Sequence, residues 1–255
     1  MPLTLSVAII TKNEEANLAR TLESVRWADE IVIVDCGSTD KTQEIARFFG
    51  AKFFVEEWKG FGAQKNSAIA KCSSDWILAL DADEEVSAEL AQEIRGLLSG
   101  SPTDAAYFLP RRNFFLGRWI RHGGYYPDKK LRLFPGGGCQ FEESVVHETI
   151  RPAGATGYLR GDLLHHAYPN LKTYIEHMNR YSSLGATQAV ACGKTSRNIL
   201  AFLWNVFVVP VATFEYNYVF RVGFLDGREG LLLHLYHSAY VSWKYAKAWE
   251  RSRRS

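Results

Sequence analysis

Short apolar runs and helix-like repeats alternate along the first hundred residues of the chain. The first continuous apolar run predicts a buried parallel strand, and three further short runs also predict strands. The segments between them carry apolar residues at the spacing of an amphipathic helix. The predicted strands are 5–10, 31–34, 52–55 and 76–80, and the predicted helices are 13–26, 39–49, 64–70 and 87–98. This alternation favours right-handed crossovers and a mostly parallel sheet with helices on both faces.

The regularity fades in the second hundred residues, where loops rich in glycine and arginine separate shorter patterns. Short strands are predicted at 105–109, 130–134, 145–150 and 162–165. A helix is predicted to begin at Asn170. We therefore expect an α/β domain over residues 1–168, with halves at about 1–102 and 103–168, and a C-terminal helical region over residues 169–255.

The C-terminal region contains two strongly apolar stretches. The first, 199–214, would form a helix about 24 Å long, kinked by Pro210. The hydrocarbon layer of a membrane is roughly 30 Å thick, so a spanning helix is not expected unless residues 216–220 extend this one. The second stretch, 230–249, is rich in leucine and aromatic residues. Three arginines follow it, at positions 251, 253 and 254.

Two arrangements account for these apolar stretches. Aromatic residues at their borders and the basic tail favour peripheral, monotopic association with an anionic cytoplasmic membrane surface. A helical hairpin packed on the first domain, or on a second copy in a homodimer, explains the apolarity equally well. We favour the membrane, and dependence on detergent during purification would distinguish the two arrangements.

Composition narrows the classes of function. The 255 residues carry a formal net charge of +2 at pH 7, which argues against nucleic-acid binding. The cysteines, at positions 36, 72, 139 and 192, have neither metal-site nor disulfide spacing, which fits the reducing cytoplasm. The first apolar run lacks the basic prefix of a signal peptide.

Two carboxylates one residue apart, Asp81 and Asp83, follow the fourth predicted strand. Open α/β folds bind ligands at the carboxyl ends of their strands, and paired carboxylates there suit a hard cation, Mg²⁺ or Mn²⁺, that holds a diphosphate. Alternatively, residues 83–85 form only the first turn and cap of the next helix. The two acids alone do not distinguish these interpretations.

Polar residues also follow the first two strands. Asp35 can accept hydrogen bonds from a base N–H or a ribose hydroxyl, whereas Ser38 and Thr39 suit a helix N-cap equally well. Lys65 follows a glycine-containing loop at a predicted helix start, where it can approach a phosphate or remain solvated. Because the strands are predicted to be parallel, all these side chains are expected at one edge of the sheet.

Taken together, these segments resemble glycosyltransferase family two, which has the GT-A nucleotide-sugar fold. The matching segments are SVAIITKNEEANL, IVIVDCGSTDKT, GFGAQKNSA and WILALDADEEV, within residues 4–90. No Gly-x-Gly-x-x-Gly follows the first strand, which argues against a dinucleotide oxidoreductase. Later segments, RRNFFLGRWIRHGGYYPDKKLRLF, SVVHE, DLLHHAYPN and GFLDGREG, are similar to the WaaE-like glucosyltransferases of the bacterial lipopolysaccharide inner core.

The resemblance implies that residues 1–102 bind the nucleotide sugar and residues 103–168 the acceptor. It implies nucleotide-binding positions at Thr11, Glu14, Asp35, Ser38, Lys65 and Asp81. Asp83 is expected to bind the metal ion, and His165 is a candidate further ligand of the metal or diphosphate, or a structural residue. Four residues form a basic cluster: Arg111, Arg112, Lys130 and Arg132. The cluster could bind a diphosphate or an acidic acceptor, or it could be a solvated surface.

The resemblance further implies metal-dependent, inverting transfer of a hexose, with UDP-glucose as the expected donor and a lipid-linked glycan of the cell envelope as acceptor. A base must take the acceptor's proton. Glu148 is the first choice and Asp128 the second, although either could orient an acceptor hydroxyl or pair with Arg132. The alternatives are a nucleotidyltransferase, a polyprenyl-phosphate glycosyltransferase, or a catalytically silent membrane scaffold that binds nucleotides or glycans. The intact Asp81 and Asp83 pair argues against the scaffold.

Overall fold

The computed structural model describes residues 2–142, 150–196 and 198–253. The chain divides into two compact units, of which the first comprises Met1–Arg111 and Asp128–His166. The second comprises Arg112–Pro127 and Ala167–Ser255. Its boundary at residue 166 lies beside the one expected at 168, but residues 112–127 group with the C-terminal helices.

The first unit begins with a parallel βα arrangement. Its strands are β1 (Leu5–Thr11), β2 (Glu30–Asp35), β3 (Lys52–Val55) and β4 (Trp76–Asp81), connected by α1 (Leu18–Ser24), α2 (Thr42–Phe48) and α3 (Phe61–Ile69). The strands pair in parallel in the order β3-β2-β1-β4. Apolar residues of β1 and β4 are buried, as their continuous apolar sequences require of strands covered on both faces. The predicted α/β architecture is confirmed.

Shorter elements extend the sheet beyond β4. They are β5 (Glu84–Val86), α4 (Ala88–Ser99), β6 (Ala106–Phe115), β7 (Arg118–Ile120), β8 (Asp128–Pro135), β9 (Thr156–Tyr158) and β10 (Leu163–Tyr168). The order continues from β4 through β8, β6 and β10 to β5, and β8 pairs antiparallel with β4 and with β6. Ser87 caps α4 as predicted, its side chain accepting a hydrogen bond from Leu90 N.

Two predicted helices, 13–26 and 39–49, begin later than expected, at Leu18 and Thr42. Residues 13–17 form a turn instead, because Asn13 adopts a left-handed conformation with φ of 55°. Its Oδ1 accepts a hydrogen bond from Thr39 N at 2.8 Å, which ties this turn to the one that precedes α2. Residues 84–86 form β5 rather than a helix turn, since they pair with β10. Of the strand predicted at 145–150, only Ile150 lies among the described residues, and it bridges to Phe141.

The second unit is mainly helical. Helix α5 (Leu171–Ala191) begins as predicted after Asn170, whose Oδ1 accepts a hydrogen bond from Thr173 N at 2.9 Å. Next come α6 (Ile199–Leu203), a π-helical turn (Trp204–Val208), α7 (Val209–Glu215), a second π-helical turn (Tyr216–Phe220), a 3₁₀ turn (Gly223–Asp226) and α8 (Gly227–Ser252). Strand β7 pairs with the end of β6 in this unit.

The expected end of the first apolar helix at residue 214 is wrong. Ile199–Phe220 is one continuous helical segment of 22 residues, about 33 Å long. It is thus long and apolar enough to cross a membrane, a test that buried helices of soluble proteins also pass. Here, however, only 6% of its most apolar window is buried. The helix is therefore long enough to span a membrane, and its packing within the second unit decides whether it would cross a membrane or lie along its surface.

Candidate active site

Three strand ends meet at one edge of the parallel sheet, as predicted. In the strand register Thr11 at the end of β1 lies beside Asp35 at the end of β2. On the other side of β1, Ile10 lies beside Asp81 at the end of β4. The carboxyl edge therefore brings together three of the expected nucleotide-binding residues, Thr11, Asp35 and Asp81, the last of which is the first acid of the Asp-x-Asp pair.

Asp35 shapes the loop that follows β2. Its side chain is 1% exposed, and its Oδ2 accepts hydrogen bonds from Thr11 Oγ1 at 2.8 Å and Ser38 Oγ at 2.5 Å. Its Oδ1 accepts hydrogen bonds from Gly37 N at 2.8 Å and Ser38 N at 2.7 Å. A carboxylate has about four such acceptor positions, so donors of the chain itself occupy them here. The contact of Asp35 with a nucleoside stays a prediction.

Glu14 lies in the turn before α1, near the Asp-x-Asp pair. Its N–H donates to Thr42 Oγ1 at 2.8 Å, and its Oε2 accepts a hydrogen bond from Asn17 Nδ2 at 3.0 Å. Burial raises the pKa of Glu14, and repulsion by Asp83 and Asp81 raises it further, against the hydrogen bond from Asn17. The three carboxyl groups therefore share one electronegative region.

Both oxygens of Asp81 are bound by cations. Lys65 Nζ lies 2.8 Å from Oδ1, and Arg132 Nη2 lies 2.5 Å from Oδ2. Burial acts to raise the pKa of Asp81, but Arg132 and Lys65 together hold it well below the usual range of aspartate. Lys65 and Arg132 thus reach the Asp-x-Asp motif and contact both oxygens of Asp81. The contact of Asp81 with a nucleotide stays a prediction.

Glu84 joins these cations to a second set of charges and escaped the sequence-based search. Its side chain is fully buried, at 0% exposure. Its Oε1 accepts hydrogen bonds from Arg111 Nη1 at 2.9 Å and Arg132 Nη2 at 3.0 Å, and its Oε2 accepts one from Asp81 N at 3.0 Å. Glu84 therefore fixes both the turn after β4 and the two guanidinium groups beside it.

Asp128, the second choice for the base, lies at the far end of this ion-pair network. Arg111 Nη2 is 2.7 Å from its Oδ2, and Lys130 Nζ is 3.1 Å from its Oδ1. Burial opposes ionisation of Asp128, but Arg111 and Lys130 lower its pKa below the usual value. A carboxylate held in its charged form this strongly is a weak proton acceptor.

Asp83 and His165 face each other across β5 and β10. His165 Nε2 lies 3.4 Å from Asp83 Oδ2, and His166 N donates to Asp83 O at 3.1 Å. Burial acts to raise the pKa of Asp83, but the charge and the hydrogen bond of His165, together with the charge of Arg111, make the net shift downward. Asp83 is accordingly held as a carboxylate beside an imidazole.

These two side chains fit a divalent cation. Neighbouring ligand atoms of an octahedral Mg²⁺ or Mn²⁺ ion lie about 3 Å apart, close to the separation of Asp83 Oδ2 and His165 Nε2. Within the described ranges, no group of three or more His, Cys, Asp or Glu side chains is arranged to hold a metal. An ion at this position would therefore complete its coordination with phosphate oxygens and water, as Mg²⁺ commonly does.

Two further expected site residues are Arg112 and Glu148. Arg112 belongs to the second unit, where its guanidinium lies 4.3 Å from the ring centre of Trp119. Glu148, the first choice for the base, lies outside the described residues. Their roles stay predictions.

Comparison with known proteins decides the family. The family model described as Glycosyl transferase family 2 matches residues 6–148. The chain belongs to glycosyltransferase family 2. LpsC of Rhizobium meliloti (strain 1021), named a lipopolysaccharide core biosynthesis glycosyltransferase, is 35% identical over 237 residues, covering 88% of this chain and 82% of LpsC. An uncharacterized glycosyltransferase of Rickettsia prowazekii (strain Madrid E) is 32% identical, covering 87% of this chain and 81% of the relative.

A solved structure supports the fold expected of family 2. The mannosyltransferase PcManGT from Pyrobaculum calidifontis, in complex with GDP-Man and Mn²⁺, superposes with a TM-score of 0.56 at 15% identity. The match covers 98% of this chain and 88% of that one. The predicted GT-A architecture is thereby confirmed, and the enzyme class predicted from the resemblance, glycosyltransferase, follows from family membership.

Proposed function

We propose that the protein is a metal-dependent, inverting hexosyltransferase that uses a UDP-sugar, with glucose as the expected sugar. Its proposed acceptor is a lipid-linked glycan, the lipopolysaccharide inner core, at the cytoplasmic surface of the inner membrane. The likeness to LpsC over most of both chains supports this acceptor. The observation that carries the proposal is the ionised Asp83 beside His165, next to cations held by Asp81 and Glu84.

Asp83 and His165 would hold Mg²⁺ or Mn²⁺. When bound, such an ion stabilises the charge that develops on the departing diphosphate. The chain supplies positive charge of its own at this place. Among the described residues, the ion-pair network joins Lys65, Arg132, Arg111 and Lys130 to Asp81, Glu84 and Asp128. Cations fixed in place by carboxylates in this way suit a diphosphate group.

Glu148 is the proposed base for the acceptor hydroxyl. The ion pairs of Asp128 with Arg111 and Lys130 keep that carboxylate charged and engaged, which makes it the weaker candidate. In this proposal Asp128 positions Arg111 instead. Glu148→Gln is expected to lower turnover strongly while leaving donor binding intact. If it weakened donor binding more than turnover, Asp128 would become the candidate base.

The metal site is tested by calorimetric titration of UDP into the full chain with Mn²⁺ or with EDTA. We expect binding that depends on Mn²⁺ and is lost in Asp83→Asn, whose side chain has the same shape but no charge. Glu44→Gln, at an exposed position of α2, is the matched control and should bind like the unaltered protein. Equal UDP affinity with Mn²⁺ and with EDTA would overturn the metal-dependent mechanism.

The acceptor is tested by incubating the protein with UDP-glucose and either deacylated lipopolysaccharide core or a polyprenyl phosphate. Transfer to the core oligosaccharide supports the proposal. A phosphate acceptor needs no strong base, so transfer to polyprenyl phosphate that persists in both Glu148→Gln and Asp128→Asn would replace the proposed acceptor with the alternative one. UDP binding without transfer to either acceptor would favour a silent binding scaffold.

A further inference from the structure

One face of the helix Ile199–Phe220 is exposed along its whole length and is apolar except at Glu215. Leu200 is 77% exposed, Trp204 60% and Phe207 62%. The exposed large apolar residues recur every three to four positions, as one stripe on a helix: Leu200, Leu203, Trp204, Phe207, Val208, Val211, Tyr216, Val219 and Phe220. Glu215 is the single charged residue of this helix. Contiguous exposed apolar surface of this kind marks an interaction site.

The opposite face of the helix packs on α8. Pro210 is buried there, and Ser238 Oγ donates to its carbonyl oxygen at 2.8 Å. Ser242 Oγ donates to Val206 O at 2.9 Å, the carbonyl that an α-helix would pair with the N–H that Pro210 lacks. The helix is therefore supported along one side by specific polar contacts within its own unit.

Helix α8 packs in turn on α5 through polar and charged groups. These groups need hydrogen-bond partners, which water or protein can supply but hydrocarbon cannot. Lys247 Nζ donates to Asn179 O at 2.8 Å and to Ser182 Oγ at 2.7 Å. Because α8 and α5 carry charged and polar groups behind Ile199–Phe220, lipid can surround this helix on one side only. That geometry favours a helix lying in the plane of a membrane surface over one that crosses it.

Basic side chains stand at both ends of the apolar stripe. Arg221 follows the helix and is exposed, with its guanidinium 5.6 Å from the ring of Tyr216. At the other end, Phe202 packs on Trp249 with ring centres 5.0 Å apart, and the guanidinium of Arg253 lies 4.9 Å from the Trp249 ring. Exposed cations beside an apolar stripe complement the negative headgroups of an anionic bilayer.

We propose that this face docks flat on an anionic lipid bilayer, with Leu200, Trp204 and Phe207 inserted at the boundary of headgroups and acyl chains. Arg221 and Arg253 bind lipid phosphates at the two ends. The inference rests on the membrane location named in the proposed function and identifies the surface that achieves it. It does not depend on which sugar is transferred.

The experiment is co-sedimentation of the full chain with vesicles of phosphatidylglycerol and phosphatidylethanolamine, or of phosphatidylcholine alone. We expect binding to the anionic vesicles that weakens at high salt. Trp204→Glu combined with Phe207→Glu should lower it roughly a hundredfold, because burial of each large apolar side chain contributes about tenfold or more. Phe48→Glu, at an apolar position 83% exposed on the first unit, is the matched control and should bind normally.

A second pair of variants tests the charges. Arg221→Glu with Arg253→Glu should abolish the preference for anionic vesicles, whereas Arg47→Glu at an exposed position of α2 should not. Extraction with alkaline carbonate separates docking from spanning, since a docked protein is released and a spanning one is retained. Retention of the protein in the membrane after carbonate extraction would overturn the inference. So would vesicle binding that Trp204→Glu and Phe207→Glu leave unchanged, or self-association through this face without vesicle binding.

Mn²⁺-dependent UDP binding is measured in the same preparations. Variants that lose vesicle binding but keep UDP binding remain folded, and their behaviour then reports on docking alone. Vesicle binding without UDP binding in the unaltered protein would remove the proposed function and leave the docking surface standing.

Discussion

Glu84→Gln tests whether one buried carboxylate holds the charged site together. The substitution keeps the size of the side chain but removes its charge. Glu84 Oε1 then no longer offers a carboxylate to Arg111 and Arg132, which lie at 2.9 and 3.0 Å. Whichever way the new amide turns, its N–H group faces either these guanidinium groups or the N–H of Asp81, and both are donors.

The expected loss of stability follows from the burial of Glu84. Removing one partner of a buried ion pair costs about 3–5 kcal/mol, because the remaining charges stay out of water without compensation. Each kcal/mol lowers the melting temperature of a domain of this size by about 2–4 °C. We therefore expect Glu84→Gln to melt about 6–20 °C below the unaltered protein in differential scanning calorimetry.

Glu85→Gln is the matched control, since the neighbouring carboxylate is part-exposed and sits 3.7 Å from Arg20 and 3.4 Å from His166. Ion pairs of that kind contribute about 0–1 kcal/mol, so its melting temperature should fall by no more than about 4 °C. Glu84→Gln should also weaken Mn²⁺-dependent UDP binding, because either the turn that carries Asp83 loses its hydrogen bond at Asp81 N or the guanidinium groups of Arg111 and Arg132 lose their acceptor. Equal melting temperatures for the two variants would refute the structural role assigned to Glu84.

Two further predictions concern acid stability and the C-terminal helices. Burial acts to raise the pKa of Glu30, but hydrogen bonds from a lysine and two serines lower it to about 2. The stabilising effect of Glu30 is therefore complete above about pH 4.5 and is lost as the pH falls towards 2. Urea unfolding at pH 6 and pH 3 should show a smaller acid loss for Glu30→Gln than for exposed Glu44→Gln; equal losses would contradict this. Ser242→Ala should cost about 1–2 kcal/mol in urea unfolding, because Val206 O loses its donor, while Thr213→Val, which removes only a back-bond within its helix, should cost less. A reversed order would show that Ser242 does not stabilise the proline-containing helix.

The parallel strands were predictable because burial on both faces leaves a continuous apolar sequence. Leu5–Thr11 and Trp76–Asp81 are such runs, and each ends at the polar residue that the sequence marked. Parallel pairing then placed Asp35 and Asp81 on either side of β1 without knowledge of any other contact. Local sequence was sufficient for β1, β2 and β4, whereas β3 at the edge of the sheet is mostly exposed and begins with Lys52.

Helix starts and the short strand β5 were not predictable in this way, because distant residues decide them. Asn13 leaves the helical conformation and accepts a hydrogen bond from Thr39, 26 residues away. Glu84–Val86 is a strand only because Leu163–Tyr168 pairs with it. Three residues carry too little periodicity to show this, and the helix that follows made a helical turn the reasonable expectation.

The end of the apolar helix was misplaced for a different reason. Glu215 and Asn217 interrupt the apolar pattern and suggested that the helix ended near Phe214. The backbone continues to Phe220 through a π-helical turn, in which Tyr216, Val219 and Phe220 are exposed. The extension over residues 216–220 that the sequence allows is thus present, although composition alone does not require it.

The two acids of the Asp-x-Asp pair show why identical residue types in one motif take different parts. Asp81 ends β4 and faces the cations on α3 and β8, so Lys65 and Arg132 neutralise both its oxygens. Asp83 lies beyond the turn fixed by Glu84 and faces β10, where its neighbour is His165, a residue that can share a metal ion with it. A cation arriving at this edge would meet repulsion from Lys65 and Arg132 near Asp81 but a carboxylate and an imidazole at Asp83. The different surroundings of Asp81 and Asp83 are therefore set by the elements that carry their neighbours. The spacing of the two acids matters because it turns their side chains towards different elements.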